Sequence, residues 1–239
     1  MKKLWAIILS VCALAACDKH DPILPGTRTA IFANSDINIL NTDIPNLSGD
    51  EFIMPDTNCP YTQDSSNTVW NGTRKIFSGF PTDNSVQNNQ KPVCSGKYIY
   101  AGLTTGELVK INSQNRQVVW IADIYRANNL TGGADILDII APIVIKDNFV
   151  YVGGLGDAFC KINVNSGDKK WCTNISVSAP FTIVNDVAFV PGSDKKLYAV
   201  RLTDGAIYWT HEIETVTKPT YNDGVIIVGK QKINSTNGK

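Results

Sequence analysis

Histidine, the commonest residue of catalytic and metal sites, is scarce in this chain, which has two copies. His20 falls in a polar N-terminal segment, and His211 lies two residues after a tryptophan near the end of an apolar run. A hydrolytic dyad or a zinc site needs several partner side chains close together. We therefore predict no catalytic residue, no metal site and no bound cofactor, and we expect His211 to lie at an exposed strand end.

The spacing of the cysteines says more about the structure than the positions of the histidines do. Cys160 and Cys172 flank a predicted hairpin turn, Asn163–Gly167, and could lie opposite each other on paired strands. Adjacent strands allow the separation that a disulfide needs, but two buried thiols would also fit, because free cysteine is a small apolar side chain. Cys59 and Cys94 complete an even count, which permits a second bridge without indicating one.

The N-terminus has the order of features found in an export signal. Lys2 and Lys3 precede an apolar segment, Leu4–Leu14, that is too short to span a membrane as a stable helix. The segment Leu14-Ala15-Ala16-Cys17 resembles the lipobox of bacterial lipoproteins, and this resemblance implies cleavage before Cys17 and acylation of its thiol and new amino group. The alternative is an ordinary secretory signal with a chance cysteine. Two or more acyl chains would anchor the protein to a membrane.

These features divide the chain into three predicted segments. Residues 1–16 are a lipoprotein signal peptide, residues 17–67 are the lipidated cysteine with a polar tether, and residues 68–239 are the folded domain. The tether is rich in Asn, Asp, Pro and Thr, and one piece of it, Arg28–Ala33, could add a strand to the domain. Asp18 resembles the inner-membrane retention signal of enteric lipoproteins, so the inner membrane remains an alternative to the outer one.

The charge balance argues against nucleic acid as a partner. The full chain has 22 basic and 22 acidic residues, and removing Lys2 and Lys3 with the signal peptide leaves 20 basic against 22 acidic. No Lys/Arg-rich block or basic stripe is present in the sequence. A nucleic-acid-binding domain would be expected to carry one.

A repeated pattern organises the domain. It starts at a proline, continues through a β-rich run that ends in glycine, then Lys-Ile-Asn or its equivalent and a turn, and finishes at a tryptophan. Three copies occupy residues 92–120, 142–171 and 180–209, and a fourth starts at Pro219. Short strands grouped in fours within about 40–45 residues predict an all-β fold, namely a β-propeller of four-stranded blades.

The end of each copy resembles the pyrroloquinoline-quinone (PQQ)-type propeller repeat, Ala-x-Asp-x-x-Thr-Gly-x-x-x-Trp. The matching stretches are 110–120, 161–171 and 199–209, with Arg116 in place of the turn glycine in the first. In that family the tryptophan docks flat against the neighbouring blade, so the resemblance implies a structural, blade-docking role for Trp120, Trp171 and Trp209. Simple core tryptophans are the alternative, and neither interpretation makes them catalytic.

We expect the propeller to be incomplete, with about three clear blades and partial ones. An earlier partial blade could end at Trp70, and the copy from Pro219 is about six residues short and has no closing tryptophan. An unclosed ring exposes strand edges. Completion by another chain, a small closed propeller and the product of a decaying gene are the three alternatives, and the sequence favours the last.

One long connection is a candidate partner loop. Trp120 to Pro142 spans 22 residues, against 9 and 10 for the corresponding connections of the next two copies. Its residues Tyr125, Arg126 and Leu130 are candidate contacts, because insertions on one face of a repeat array often bind partners and Tyr and Arg are typical anchors. A merely tolerated loop is the alternative.

Together the lipobox, the tether and the repeats resemble the BamB-type lipoproteins of the outer-membrane β-barrel assembly machinery. Pro22–Arg28 is similar to a Leu-Pro-Gly-x-Arg segment of some relatives. The resemblance implies a lipid-anchored, non-catalytic scaffold on the periplasmic face of the outer membrane that binds the barrel-inserting subunit, in a truncated or degenerate form. The alternatives are a PQQ-dependent periplasmic dehydrogenase, whose adjacent-cysteine pair this chain lacks, and an inner-membrane lipoprotein of unknown partner.

Overall fold

The structure, a computed structural model, describes residues 39–45, 47–55, 58–82, 85–86, 91–124 and 136–239. All of them fall within one unit of the chain, residues 36–239. These ranges contain strands, turns and irregular segments. Within them, no helix has the length and apolar character that crossing a membrane requires.

Three four-stranded sheets form the centre of the fold, and in each sheet the strands pair antiparallel in chain order. Blade 1 consists of β4 (Val93–Ser95), β5 (Tyr98–Gly102), β6 (Glu107–Asn112) and β7 (Val118–Asp123). Blade 2 consists of β8 (Val144–Lys146), β9 (Phe149–Gly154), β10 (Ala158–Asn163) and β11 (Lys169–Thr173). Blade 3 consists of β12 (Thr182–Val184), β13 (Val187–Pro191), β14 (Lys196–Arg201) and β15 (Ile207–Glu212).

A three-stranded sheet lies on each side of these blades in the chain. The first sheet contains β1 (Tyr61–Gln63), β2 (Thr68–Asn71) and β3 (Arg74–Ser78), and the last sheet contains β16 (Thr220–Asn222), β17 (Val225–Val228) and β18 (Gln231–Asn234). The predicted fold class is confirmed: the protein is an all-β, incomplete β-propeller of four-stranded blades. The core lies between successive sheets, in four clusters of buried, mostly aliphatic and aromatic side chains.

The hairpins between third and fourth strands explain why the repeat keeps its spacing. The turn residues Gly167 and Gly205 both have φ of 79°, and Arg116 takes up the same left-handed region with φ of 61°. Glycine enters this region without steric cost, so the substitution by Arg116 is tolerated rather than favoured. Each of the three blades also has a β-bulge between its third and fourth strands, at an equivalent position next to the hairpin turn.

The partial blades differ from their sequence prediction at the first sheet, and the last sheet shows where the fourth copy is short. The suggestion that an early partial blade ends at Trp70 is wrong, because Trp70 lies on the middle strand β2 and the sheet continues through β3 to Ser78. The shortening of the fourth copy falls mainly on β17 and β18, which have four residues each, and partly on their connection, where only Gly229 and Lys230 separate the strands.

Residues 39–45 and 47–55 lie against the blades, and we call these described residues the N-terminal strap. Ile39 forms a parallel bridge with Ile207 on the outermost strand of blade 3. The Ile44 amide donates to the carbonyl of Thr236 at 2.8 Å, and the Ile44 side chain packs into the cluster between blade 3 and the last sheet. This part of the predicted tether is thus packed on the propeller, whereas Arg28–Ala33 lies outside the described residues.

The later part of the strap follows the first strands of the blades in reverse order. The Phe52 amide donates to Ile183 of β12 at 2.7 Å, and the Met54 sulfur accepts from the amide of Ile145 of β8 at 3.4 Å. A disulfide then joins Cys59 to Cys94 of β4. The strap therefore covers strand edges of blades 3 and 2, and the chain just after it is fixed to blade 1. β1 begins shortly afterwards, seven residues before the predicted start of the domain.

Candidate functional site

A tryptophan on the fourth strand of each blade makes the same contact with the next sheet. In each case the indole Nε1–H donates to the carbonyl of the residue that follows the third strand of that sheet. The pairs are Trp120 with Val164 at 3.0 Å, Trp171 with Leu202 at 3.2 Å, and Trp209 with Ser235 at 3.2 Å. One hydrogen bond thus repeats at three successive interfaces between sheets.

The same tryptophan rings pack on a turn glycine of the next sheet. A Cβ added at Gly167 would lie 2.8 Å from the Trp120 ring, and one at Gly205 would lie 2.7 Å from the Trp171 ring. At Gly238 the distance to the Trp209 ring would be 2.6 Å. These glycines are required twice, once for their positive φ and once for the close approach of the indole.

A lysine joins the tryptophan at two of the three interfaces. Lys110 Nζ donates at 2.8 Å to the carbonyl that Trp120 also contacts, and Lys161 Nζ donates at 2.8 Å to the carbonyl that Trp171 contacts. Each ammonium also lies over an aromatic ring of its own blade, 3.9 Å from the Tyr98 centroid for Lys110. One carbonyl of the next blade therefore accepts from two side chains.

Burial has an electrostatic effect on these lysines. Residue Lys110 is 2% exposed, and desolvation lowers the pKa of its ammonium group; desolvation also lowers the pKa of Lys161. The hydrogen bond to a carbonyl and the aromatic ring beneath the ammonium favour the charged form and oppose this effect. Both lysine side chains therefore have a structural role, in the contact of one blade with the next.

A buried carboxylate lies in the connection between blades 1 and 2. One oxygen of Asp138 accepts from the amide of Val86 at 2.6 Å, and the other has no hydrogen-bond partner among the described residues. Burial raises the pKa of Asp138. The described ranges contain no group of three or more His, Cys, Asp or Glu residues that could hold a metal ion.

Both cysteine pairs of the domain are disulfides in the structure. Cys160 and Cys172 face each other across β10 and β11, with S–S 2.07 Å, so the disulfide is present where the sequence left two buried thiols as an alternative. Cys59 and Cys94 form the second bridge, with S–S 2.01 Å. The first bridge links neighbouring strands of one blade, and the second fixes the chain beyond the strap to blade 1.

The other predicted site residues are distributed as follows. His211 lies on β15, is half-buried rather than exposed, and has its Nδ1 2.7 Å from the carbonyl oxygen of Gly238. The lipidation candidate and the candidate loop contacts lie outside the described residues; they are Cys17, Tyr125, Arg126 and Leu130.

Sequence reasoning missed the role of the two lysines. The signal was present, because both belong to the recurring Lys-Ile-Asn phrase. That phrase marks the repeat, but the acceptor of each lysine is a carbonyl on the next blade, which a pattern within one repeat does not reveal. Sequence reasoning also missed the strap, because the residues that the strap contacts are far away in sequence.

Successive sheets joined by a repeated tryptophan and turn glycine define the class of this protein: a β-propeller of PQQ-like repeats. The model of the family described as "Outer membrane protein assembly factor BamB" matches residues 38–211, and the chain belongs to that family. The match includes the strap from Ile39 onward, the first sheet and the three four-stranded blades up to His211, one residue before the end of β15.

Individual relatives are distant. The chain is similar to the outer membrane protein assembly factor BamB of Alkalilimnicola ehrlichii, with 19% identity over 128 residues. The matched stretch covers 54% of this chain and 33% of the relative, so the chain spans about a third of the length of the curated relative it matches.

Two solved structures show limited similarity. The crystal structure of BamB from Moraxella catarrhalis is 15% identical, with 75% of this chain and 59% of that chain covered and a TM-score of 0.49. Quinohemoprotein alcohol dehydrogenase from Comamonas testosteroni is 14% identical, with 50% and 20% covered and a TM-score of 0.40. Similarity at this level adds nothing about function to the family match.

Proposed function

We propose that this protein is a lipid-anchored, non-catalytic scaffold in the assembly of outer-membrane β-barrel proteins, held on the periplasmic face of the outer membrane. The observation that carries the proposal is the family match over residues 38–211. The proposed anchor is Cys17, at the end of the lipobox-like segment. The proposed partner is the barrel-inserting subunit of the assembly machinery.

The use of side chains in the blades is consistent with a scaffold. The repeated Trp, Lys and Gly residues of the propeller motif are engaged in holding one sheet against the next. A repeat array stabilised in this way presents its loops and strand edges for binding. We propose Tyr125, Arg126 and Leu130 as contacts in the long connection after β7, as their residue types suggest.

The proposal is tested with the full chain, carrying a C-terminal epitope tag, in its own host. We expect the tagged protein in the outer-membrane fraction and the barrel-inserting subunit in its immunoprecipitate. The variant Cys17→Ser removes the acceptor thiol and should abolish both the incorporation of labelled palmitate and recovery in the outer-membrane fraction. Recovery in the inner membrane without the assembly machinery would instead support the alternative of an inner-membrane lipoprotein.

The same purified protein distinguishes the enzymatic alternative. A PQQ-dependent periplasmic dehydrogenase would show quinone absorbance and dye-linked oxidation of alcohols or aldehydes after reconstitution with PQQ. We expect neither. Appearance of both would overturn the assignment as a non-catalytic scaffold, whatever the fractionation result.

A further inference from the structure

The outermost strands of the three blades can be compared residue by residue. The bulge before each hairpin pairs Ile111 with Val118, Ile162 with Lys169, and Val200 with Ile207. Val118, Lys169 and Ile207 therefore occupy one equivalent position, and the next residues along, Val119, Lys170 and Tyr208, occupy the next. All six lie on the edge strand of a four-stranded sheet.

The edge of blade 3 is covered by an extended segment of the same chain. The amide of Leu40 donates to the carbonyl of Ile207 at 2.8 Å, and the amide of Thr42 donates to the carbonyl of Tyr208 at 3.1 Å. Ile207 is fully buried, and Tyr208 is 8% exposed. An edge strand with apolar residues at these two positions thus receives an added strand in this molecule.

The edge of blade 2 is protected by charge instead. Its equivalent residues are Lys169 and Lys170, and both are exposed. Lysine on an edge strand opposes the addition of another strand, because pairing would bring its ammonium group out of water. Blade 2 therefore needs no covering segment.

The edge of blade 1 has neither protection. Val118, Val119 and Ile121 are 41%, 44% and 49% exposed, and the first charged residue of β7 is Asp123 at its end. Among the described residues, no segment outside blade 1 pairs with the backbone of β7. The edge combines the apolar character of blade 3 with the accessibility of blade 2.

We propose that the β7 edge of blade 1 binds an extended segment of an unfolded outer-membrane barrel protein by β-strand addition. The mode of binding follows from the strap on blade 3: backbone amides of an extended chain donate to the first two carbonyls of the edge strand. Main-chain hydrogen bonds supply affinity in such additions, and alternate side chains supply selectivity. The identity of the occupant rests on the proposed function.

The chemistry of the occupant fits the edge. Transmembrane strands of barrel proteins alternate apolar and polar side chains, so an added strand would place one apolar row beside Val119 and Ile121. The occupant of the equivalent edge on blade 3 is an extended segment rather than the edge of another folded sheet. This favours an unfolded chain over a second copy of this protein.

The test exchanges the edge residues of two blades. V118K/V119K gives blade 1 the lysines of blade 2, and K169V/K170V gives blade 2 the valines of blade 1. The probe is a fluorescently labelled eight-stranded outer-membrane barrel protein, kept unfolded in urea and diluted into the full-length protein in detergent. Affinity is measured by fluorescence anisotropy, and a photo-crosslinking amino acid in place of Ile121 locates the contact.

We expect the unmodified protein to bind the probe and to crosslink through position 121. V118K/V119K should weaken binding about tenfold or more, because two apolar contacts are replaced by ammonium groups. K169V/K170V should bind at least as tightly as the unmodified protein. Circular dichroism should show both variants folded, since each edge sequence already exists in one blade.

Several results would overturn the inference. Equal binding by V118K/V119K and the unmodified protein would do so, and so would no binding of the probe at all. A dimer that V118K/V119K converts to a monomer would assign the edge to a second copy of the chain. If V118K/V119K lost binding to the folded barrel-inserting subunit but still bound the unfolded probe, the edge would be assigned to that subunit. Co-immunoprecipitation with the assembly machinery is measured separately, so the proposed function can stand when this inference fails.

Discussion

The interface between blades 2 and 3 and the interface between blade 3 and the last sheet use the same tryptophan but different supports. In the first, Lys161 shares an acceptor carbonyl with Trp171, and Thr173 Oγ1–H donates to the carbonyl of Gly205 at 2.6 Å. In the second, Ala199 stands at the position of the lysine, and His211 contacts the carbonyl of Gly238.

The strap contributes to both interfaces, but with different residues: the half-buried Phe52 packs against the cluster of the first. At the second, Ile44 is buried in the apolar cluster together with Trp209, and its amide donates to the carbonyl of Thr236, just after the last sheet. The tryptophan and the turn glycine are thus the constant elements of both interfaces, and the polar contacts around them vary. Stability in a repeat array is approximately a sum of such interface contributions, so each can be tested separately.

The largest expected effect comes from removing the constant element. Trp209→Ala should lower the free energy of unfolding by about 4 kcal/mol, and Trp171→Ala by about 3 kcal/mol, because Trp209 is buried and Trp171 is half-buried. Urea titrations followed by circular dichroism give both values. Trp70→Ala is the control, since its indole bonds to Asp64 within its own sheet; a larger loss there would contradict a special role for the docked rings.

The next effect separates the strap from the blades. Ile44→Ala should destabilise the protein by about 3 kcal/mol through loss of buried apolar volume. The loss should appear at the interface of blade 3 with the last sheet, as faster hydrogen exchange of Ile226 and Ile233 amides. The interface of blades 2 and 3 should keep its protection. Equal loosening of both interfaces would show that the contribution of Ile44 is not confined to the interface in which its side chain is buried.

The turn glycine provides a comparison with a closely matched control, and the expected difference between variant and control is about 2 kcal/mol. Gly205→Ala should cost about 3 kcal/mol, because its Cβ would lie 2.7 Å from the Trp171 ring at a φ of +79°. Gly224→Ala is the matched control, with φ of +81° and nothing within 4 Å of the added Cβ. That variant should cost only about 1 kcal/mol. If the two losses are equal, the close approach of the ring contributes nothing.

The smallest effect concerns the varying support. Lys161→Met should cost about 1 kcal/mol, since the carbonyl of Leu202 keeps its bond from Trp171. Trp171→Phe alone should leave Lys161 as the donor to the carbonyl of Leu202. The double variant leaves that carbonyl without either donor, so its loss should exceed the sum of the single losses. Strict additivity in urea titrations would mean that the two donors do not substitute for each other.

The blades were predictable because their signals are local. Short β-branched runs between turn residues give the strands, and the fixed distance from the hairpin turn to the tryptophan gives the repeat. Even the departure at Arg116 keeps the left-handed turn conformation that the pattern requires. The first sheet follows the pattern poorly, which is why the strand after Trp70 was missed.

The strap and the lysine contacts were not predictable for a physical reason. Asn, Asp, Pro and Thr in the strap favour turns and loops locally, and its backbone finds partners only on blades that come much later in the chain. Likewise, the acceptors of Lys110 and Lys161 belong to a neighbouring repeat. Patterns within one repeat carry no information about which carbonyl an adjacent repeat presents.

The position of the strap has a consequence for the order of folding. The hydrogen bond of Ile44 to Thr236 closes a loop of 192 residues, whereas the strands within each blade pair with immediate neighbours in sequence. Contacts of low sequence separation form early, and closure of a long loop costs entropy that must be met before the contact forms. Because the strap precedes its partner strands in the sequence, it leaves the ribosome before every strand it binds. Because its contacts close long loops, it should nevertheless be the last described segment to reach its native position.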